Sequence, residues 1–281
     1  MDNKIIDGKQ LSLELLSNLK SKIEKCCLQR PPVLVIVQVG NNLASNKYIK
    51  NKLKACETVG IIGRHLRLEE NINQEALSKK ISNLNDDDEV DGIIVQLPLP
   101  NHIDGSKINN LISPTKDADG FTPNSMGSLI LNNTNIFPAT PSGILKLLKW
   151  KKVNLVGSNV VIIGRSNIVG KPLANILINE SATVTICNTK TKNLSEICSK
   201  ADILVSAAGS PGLVTKDFVK KDSIVIDVGA NFVQGKYCGD VNFDDVISKV
   251  SLITPVPGGV GPMTIVCLLE NLVNLYLNKL K

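Results

Sequence analysis

The most informative segment of the chain is Val160-Val-Ile-Ile-Gly-Arg-Ser-Asn-Ile-Val-Gly-Lys-Pro172. It joins a run of β-branched residues, typical of a buried strand, to a loop bounded by glycines and the first turn of a helix. Gly164 ends the strand and Gly170 opens the helix, so backbone N–H groups can approach a phosphate at the positive end of that helix. Pro172 fits the first helical turn, where its missing N–H costs nothing. The segment predicts a dinucleotide-binding α/β unit.

The loop and the strand after it indicate which dinucleotide is bound. Taken alone, the spacing G-x-S-x-x-x-G departs from the common G-x-G-x-x-G and fits a ligand-free turn about equally well. Arg165 favours a cofactor, because a guanidinium beside the adenosine ribose can pair with a 2′-phosphate. The next strand closes with Cys187-Asn-Thr-Lys190, without the carboxylate that favours NAD. A hydroxyl and a lysine at this point predict NADP.

Strands and helices alternate along both halves of the chain. The pattern of the first half predicts strands at 33–39, 61–68 and 92–96, with helices between them at 45–58 and 74–84. Ser45 is the expected N-cap of the helix at 45–58, and residues 117–141, rich in Asp, Gly, Asn, Pro and Ser, are predicted to be a linker. A chain of 281 residues is expected to form two domains. The predicted fold class is α/β, with two α/β domains and a cleft between them, the second domain being Rossmann-like.

Composition and charge narrow the functional class. The net charge of +6 comes from lysines spread along the chain, without a basic block, so no nucleic-acid partner is expected. Seven cysteines without C-x-x-C spacing indicate reduced thiols, and two distant histidines predict no metal site. The first ten residues contain no long apolar segment and no Arg-rich amphipathic pattern, so we expect no targeting segment, and the apolar runs are expected to be too short to cross a bilayer. We therefore expect a soluble, cytoplasmic protein without a membrane partner.

One lysine of the predicted helix at 45–58 points away from the others. Three lysines share a side that is expected to face solvent: Lys47, Lys50 and Lys54. Lys52 lies instead among Ile49 and Cys56, with Tyr48 one turn earlier. Because burial of an ammonium is costly, Lys52 either snorkels to water or is held near neutral for chemistry. For an isolated lysine, snorkelling is the commoner case.

The order of five motifs suggests a family. They are the Tyr48-x-x-x-Lys52 helix, Gly92-Ile-Ile-Val-Gln-Leu-Pro-Leu-Pro100, Pro114-Thr-Lys-Asp-Ala-Asp-Gly120, Gly164-Arg-Ser-Asn-Ile-Val-Gly-Lys-Pro172 and Pro255-Val-Pro-Gly-Gly-Val-Gly-Pro-Met-Thr264. Together they resemble the bifunctional methylenetetrahydrofolate dehydrogenase/methenyltetrahydrofolate cyclohydrolase family. The resemblance covers essentially the whole chain, and the last motif is close to diagnostic.

The resemblance implies that the two domains have different functions. Residues 1–138 with 262–281 would form a folate-binding catalytic domain, and residues 139–261 an NADP-binding Rossmann-like domain. The enzyme would oxidise 5,10-methylenetetrahydrofolate to the methenyl form with NADP, hydrolyse that to 10-formyltetrahydrofolate, and form a homodimer. The alternatives are a monofunctional methylenetetrahydrofolate dehydrogenase and a non-catalytic dinucleotide-binding protein.

The resemblance also implies roles for individual residues. Lys52 would be the catalytic lysine, Gln96 would orient it, and Asp119 would hold the pterin edge. The implied folate contacts are Tyr48, Lys52, Val95, Gln96, Leu97, Asp119, Pro257, Gly258, Gly259, Val260 and Gly261. The implied NADP contacts are Gly164, Arg165, Ser166, Thr189 and Ala230. No metal is implied.

Physical chemistry supports two of these roles independently. A carboxylate such as Asp119 can accept two hydrogen bonds from the amidine-like N–H edge of a pterin. Gln96 is expected at the carboxyl end of a parallel strand, where α/β sheets bind their ligands. From the residues alone, the favoured interpretation of Asp119 is an ordinary turn residue before Gly120, and that of Gln96 is an amide that caps the end of a strand.

Three positions depart from the pattern of the family. Ala139 stands in Pro138-Ala-Thr-Pro141, where the family usually has a cysteine, so a role for that thiol is excluded. Asn188 stands where a histidine is common, and Ala230 where a larger residue is usual. The last two positions bear on cofactor affinity rather than on the implied catalytic group.

Replacement of Arg165 by alanine tests the choice of cofactor. Because the guanidinium is expected to pair with the 2′-phosphate, Arg165→Ala should weaken the binding of NADP much more than that of NAD. Dissociation constants for both cofactors measure the difference. Equal losses for NADP and NAD would contradict the assignment of Arg165 to the 2′-phosphate.

Overall fold

The computed structural model describes residues 2–26, 29–233 and 235–280, so that Cys27, one of the seven cysteines, lies outside the described residues. The chain divides into two compact units. We call them the Lys52 unit (Glu14–Ala139 and Ile265–Lys281) and the Gly164 unit (Met1–Leu13 and Thr140–Thr264).

Helices and strands alternate between residues 33 and 95 and again between residues 159 and 206, as predicted. The described residues form the helices α1 (Gly8–Cys26), α2 (Leu43–Val59), α3 (Gln74–Asp86), α4 (Gly105–Asn110), α5 (Pro123–Ile130), α6 (Ala139–Trp150), α7 (Gly170–Asn179), α8 (Leu194–Cys198), α9 (Phe243–Val246) and α10 (Val260–Lys279). They form the strands β1 (Val33–Val39), β2 (Ile62–Leu68), β3 (Gly92–Val95), β4 (Asn159–Ile163), β5 (Thr183–Cys187), β6 (Ile203–Ser206), β7 (Ile224–Asp227), β8 (Asn231–Val233), β9 (Lys236–Cys238) and β10 (Leu252–Ile253). Short 3-10 helices occupy Asp2–Lys4 and Lys216–Phe218.

A parallel sheet with the strand order β2-β1-β3 organises the Lys52 unit. All seven residues of the central strand β1 are buried, which explains its nearly continuous run of aliphatic side chains and confirms the predicted strand at 33–39. The segment that follows α4 returns to the sheet, where the Ile93 N–H donates to the Lys116 carbonyl at 2.8 Å. This contact places Asp117 and the residues after it beside β3.

A second parallel sheet, with the order β10-β7-β6-β4-β5, organises the Gly164 unit. The chain passes from β4 to β5 on one side and then to β6 on the other, so the direction of winding reverses between β4 and β6. Ligands of open α/β sheets bind at the carboxyl ends of the strands beside such a switch point. The order is that of a Rossmann-like domain and confirms the α/β fold class.

The start of the chain packs with the Gly164 unit, whereas the sequence prediction grouped residues 1–138 together. Backbone hydrogen bonds hold it there: the Ile6 N–H donates to the Ile253 carbonyl at 2.8 Å, and the Lys9 N–H donates to the Gly258 carbonyl at 2.9 Å. The structure therefore moves Met1–Leu13 across the predicted boundary. The function of each domain stays a prediction at this point.

The N-cap of α2 is Asn42 rather than the predicted Ser45. The Asn42 side chain accepts from the Ser45 N–H at 3.0 Å, and the helix begins at Leu43. Ser45 is buried, and its hydroxyl donates to the Leu97 carbonyl at 3.2 Å. Asparagine and serine cap helices about equally well, so the earlier of the two can start the helix.

Two further elements differ from the prediction. The predicted linker at 117–141 contains α5, which has Thr122 as its N-cap and Pro123 at its first position. The antiparallel hairpin of β8 and β9 was not predicted, because its strands are only three residues each.

By length and composition alone, α10 could cross a membrane, contrary to the expectation that no apolar run is long enough. Its most apolar 18-residue window is 61% buried within the structure. A mostly buried apolar helix is typical of a protein core.

Candidate active site

The fold brings Lys52 toward the carboxyl ends of the strands in the Lys52 unit. Lys52 is half-buried, and its neighbours Ile49 and Cys56 are fully buried. The other lysines of α2 are exposed: Lys47, Lys50 and Lys54. The predicted orientation of Lys52 is therefore confirmed.

A glutamine directly after β3 binds the lysine. The Lys52 Nζ donates to the Gln96 Oε1 at 3.1 Å. The Gln96 Nε2 donates to the Leu97 carbonyl at 2.8 Å, and the Gln96 backbone N–H donates to the Val37 carbonyl at 2.8 Å. Because the amide NH₂ is used by Leu97, the amide oxygen is the end that faces Lys52.

A buried carboxylate shapes the loop that carries Asp119. Asp117 is fully buried and accepts hydrogen bonds from the Gly120 N–H at 2.9 Å and the Thr122 N–H at 2.8 Å. It also accepts from the Phe121 N–H at 3.2 Å and the Ser125 hydroxyl at 2.7 Å. This role of Asp117 was not predicted, although the pattern Asp117-Ala-Asp119-Gly120 already places two acids in one turn.

Burial and charge act against each other at Lys52 and Asp119. Burial lowers the pKa of the Lys52 amine, and the charge of Asp119 opposes that shift. Burial raises the pKa of Asp119 to about 6, with Lys52 opposing the shift and Asp117 adding to it. Burial also raises the pKa of the Cys56 thiol to about 12, so this neighbour of Lys52 remains neutral at physiological pH. Lys52 is thus hydrogen-bonded to Gln96 and electrostatically coupled to Asp119.

Three other predicted folate contacts lie close to these groups along the chain. Tyr48 precedes Lys52 by one turn of α2 and is 36% exposed. Val95 is half-buried at the end of β3, and Leu97 is 46% exposed. These side chains offer partly accessible apolar surface in the Lys52 unit.

The remaining predicted folate contacts, Pro257–Gly261, belong to the Gly164 unit. Gly258 has a φ of +110°, a conformation that favours glycine, and the Gly259 N–H donates to the Pro255 carbonyl at 2.9 Å. Val260 is buried at the start of α10, and Gly261 is exposed. The segment is therefore a tight turn that leads into a helix.

The loop between β4 and α7 fits a dinucleotide phosphate. Gly164 has a φ of +121°, and a side chain there would collide with the Ala207 carbonyl. A side chain at Gly170 would collide with the Gly164 carbonyl, so both glycines are required for close packing. The Ser166 hydroxyl oxygen accepts from the Val169 N–H at 3.1 Å and tightens the turn before the helix.

The predicted cofactor residues lie at the carboxyl edge of the same sheet. Arg165 and Ser166 follow β4, Thr189 follows β5, and Ala230 follows β7, and all four are exposed. No carboxylate occurs among residues 187–190 after β5. The combination of a guanidinium, hydroxyls and glycine backbone therefore suits an anionic dinucleotide with a 2′-phosphate.

Two family models match the chain. The tetrahydrofolate dehydrogenase/cyclohydrolase catalytic domain matches residues 6–119, and the tetrahydrofolate dehydrogenase/cyclohydrolase NAD(P)-binding domain matches residues 138–280. The chain belongs to the tetrahydrofolate dehydrogenase/cyclohydrolase family. The predicted family, and with it the predicted pair of enzyme activities, is confirmed.

Proteins of known name and structure align with this chain over almost its whole length. The chain is 52% identical to the bifunctional protein FolD of Rickettsia bellii over 98% of both sequences. It superimposes on the crystal structure of the bifunctional enzyme FolD from Campylobacter jejuni with a TM-score of 0.95 and 47% identity, covering 98% of this chain and 99% of that one. The dehydrogenase-cyclohydrolase of Trypanosoma brucei, solved with NADP and an inhibitor, gives a TM-score of 0.94 and 36% identity, covering 99% of this chain and 98% of that one.

Competitive acetylation of lysines across a pH series measures the pKa of the Lys52 amine. Because burial lowers the pKa of its amine, Lys52 should reach half-maximal labelling at a lower pH in the folded protein than in the urea-unfolded chain. Asp119→Asn should lower that midpoint further, since it removes the charge that favours the ammonium.

Mass spectrometry of the Lys52 peptide gives the midpoint. Asp104→Asn is the matched control, because Asp104 is an exposed carboxylate that caps α4. A higher midpoint in Asp119→Asn than in the parent protein would contradict the electrostatic coupling of Asp119 to Lys52.

Proposed function

We propose that this enzyme oxidises 5,10-methylenetetrahydrofolate to 5,10-methenyltetrahydrofolate with NADP and hydrolyses the product to 10-formyltetrahydrofolate, with Lys52 as the general base. The observation that carries the proposal is a partly buried amine with a lowered pKa, hydrogen-bonded to Gln96 and electrostatically coupled to Asp119. Amines held near neutrality at physiological pH can take a proton from water.

The folate is held by the residues around Lys52. Asp119 accepts hydrogen bonds from the N–H edge of the pterin, and Tyr48 stacks on the folate rings. Val95 and Leu97 flank Gln96 and contact the ring system. The glycine-rich turn Pro257–Gly261 contributes further substrate contacts through its backbone.

NADP is the cofactor of the oxidation, and when bound it accepts the hydride that leaves the methylene carbon. Gly164 and Ser166 let backbone groups approach its phosphates, and Arg165 pairs with the 2′-phosphate. Thr189 contributes a hydroxyl after β5, and Ala230 lies after β7. The T. brucei relative that was solved with NADP supports this choice.

The protonation state of Lys52 matters in both reactions. Loss of a hydride leaves the folate carbon as a cation shared by two nitrogens, and a neighbouring ammonium would repel that charge. A neutral Lys52 is therefore the productive state for oxidation. Burial, which lowers the pKa of Lys52, favours it.

Hydrolysis uses the same amine as a base. Water forms a bond to the methenyl carbon, and Lys52 takes one of its protons. The adduct then collapses by cleavage of its bond to N5, with the hydroxyl proton moving to N5, and the proton on Lys52 returns to solvent. A neutral amine has two N–H groups and one lone pair, so a Gln96 oxygen that accepts one N–H restricts the lone pair to the two positions that point away from Gln96. Gln96 thereby orients the base.

The enzyme acts in the cytoplasm as a homodimer, as the family resemblance implies. Sedimentation equilibrium should give a molecular mass twice that of the 30.3 kDa chain. A mass equal to that of one chain at micromolar concentration would contradict the homodimer.

Lys52→Met tests the catalytic assignment. Methionine keeps the length and apolar stem of the side chain but cannot accept a proton, so hydrolysis of the methenyl substrate should fall by about 10²–10⁴-fold. Hydride transfer depends mainly on alignment and should survive in part, provided that Tyr48 and Asp119 still seat the folate.

Both activities are measured on the same purified variant. Lys50→Met, at an exposed position on the same helix, is the control and should leave both rates unchanged. Undiminished hydrolysis by Lys52→Met would remove Lys52 from the mechanism and would indicate a lysine that merely snorkels to water.

A further inference from the structure

The loop after β6 forms one wall of the switch point in the Gly164 unit. The Ala207 N–H donates to the Ile163 carbonyl at 2.8 Å, which ties this loop to the end of β4. The Ala207 carbonyl also fills the space that a side chain at Gly164 would occupy. The position of the loop therefore determines the shape of the crevice beside Gly164.

A single buried carboxylate holds this loop. Asp240 is fully buried, and its two oxygens accept from three successive backbone N–H groups. These donors are Ala208 at 2.7 Å, Gly209 at 3.1 Å and Ser210 at 2.9 Å. The Ser206 hydroxyl at 3.1 Å and the Asn231 amide at 2.9 Å donate to it as well. Five neutral donors thus compensate for the burial of the charge.

A second carboxylate fixes the backbone of Asp240. Asp227, the last residue of β7, accepts from the Asp240 N–H at 3.0 Å and the Val241 N–H at 2.9 Å. Gly229 also donates to Asp227, at 2.9 Å, and has no room for a side chain because Asp240 lies against it. Asp240 is therefore tied to the sheet on one side and to the loop on the other.

We propose that Asp240 is a positioning residue for the cofactor: through the loop at 207–210 it sets the crevice beside Gly164 in which the dinucleotide is bound. The proposal rests on the proposed binding of NADP at the Gly164 loop. Asp240 acts at the carboxyl ends of the strands, beside the part of the cofactor that NADP and NAD have in common. It does not act at the 2′-phosphate, the group that NAD lacks. It should therefore affect both cofactors equally, in contrast to Arg165.

Asp240→Asn is the test variant, because it keeps the shape of the side chain. Its NH₂ group cannot accept hydrogen bonds, so one end of the amide would face N–H donors of the loop without bonding to them. The penalty for a buried donor left without an acceptor corresponds to a factor of roughly 5 to 150 in an equilibrium constant. The dissociation constants of NADP and NAD, measured by calorimetry on the purified protein, should both rise by roughly 10- to 100-fold.

Two controls separate positioning from general loss of structure. Asp202→Asn alters a carboxylate just before β6, whereas the loop at 207–210 follows the other end of that strand. The Asp202 carboxylate accepts from the Asn159 N–H at 2.9 Å. This variant should bind both cofactors normally. Trp150, the single tryptophan of the sequence, lies in the Gly164 unit, so its fluorescence during thermal unfolding reports on that unit.

The expected result is that Asp240→Asn binds both cofactors more weakly and still shows a cooperative unfolding transition of Trp150 fluorescence. Its rate of methenyl hydrolysis, a reaction that needs no cofactor, should stay within about twofold of that of the parent protein. Unchanged affinities would overturn the proposal, as would an equal loss in Asp202→Asn. Loss of the Trp150 transition would make Asp240 a general folding residue and would also overturn it. Failure of the NADP site itself would appear separately, as absence of binding by the parent protein.

Discussion

Removal of the Lys52 amine from water is the constraint around which the Lys52 unit is arranged. Transfer of an ammonium out of water is costly unless its hydrogen bonds are replaced or its charge is lost. Gln96 replaces one hydrogen bond, and Asp119 supplies a countercharge, yet burial still lowers the pKa of the amine. The result is an amine with a lowered pKa at the carboxyl edge of a parallel sheet, where such folds bind their ligands.

Both units use the same device to hold a loop at that edge. A buried carboxylate accepts from successive backbone N–H groups: Asp117 fixes the turn that carries Asp119, and Asp240 fixes the loop beside Gly164. Loops have no ladder of hydrogen bonds to define them, so a carboxylate with fixed donors substitutes for one. Each acid shapes a site from within the protein.

Local sequence patterns were sufficient for much of this structure. The aliphatic run of β1 predicted a buried central strand, because a strand covered on both faces needs apolar residues throughout. The spacing of Lys52 from Lys50 and Lys54 predicted its side of α2, since helical geometry is local. The glycines at 164 and 170 predicted the dinucleotide loop for the same reason.

Contacts between distant parts of the chain were not predictable in this way. The structural role of Asp240 depends on its hydrogen bonds with the loop at 208–210 and with Asp227, and no spacing rule in the sequence relates these positions. The packing of Ile6 on Ile253 likewise depends on the finished sheet. The N-cap of α2 was missed for a different reason: Asn42 and Ser45 have similar capping preferences, and in the folded chain the Ser45 hydroxyl donates to the Leu97 carbonyl while Asn42 caps the helix.

In the proposed mechanism, Asp119 would connect substrate binding to the protonation state of Lys52. In the free enzyme its charge favours the protonated form of Lys52 and so opposes the productive neutral amine. If the N–H edge of a pterin donates to Asp119, those hydrogen bonds would spread part of its charge onto the pterin, and its hold on the Lys52 proton would weaken. Burial by the substrate adds to the desolvation of the amine and lowers its pKa in the same direction. A larger fraction of the amine would therefore be neutral when the folate is in place, so in the proposed mechanism one carboxylate would both anchor the substrate and couple its arrival to proton transfer.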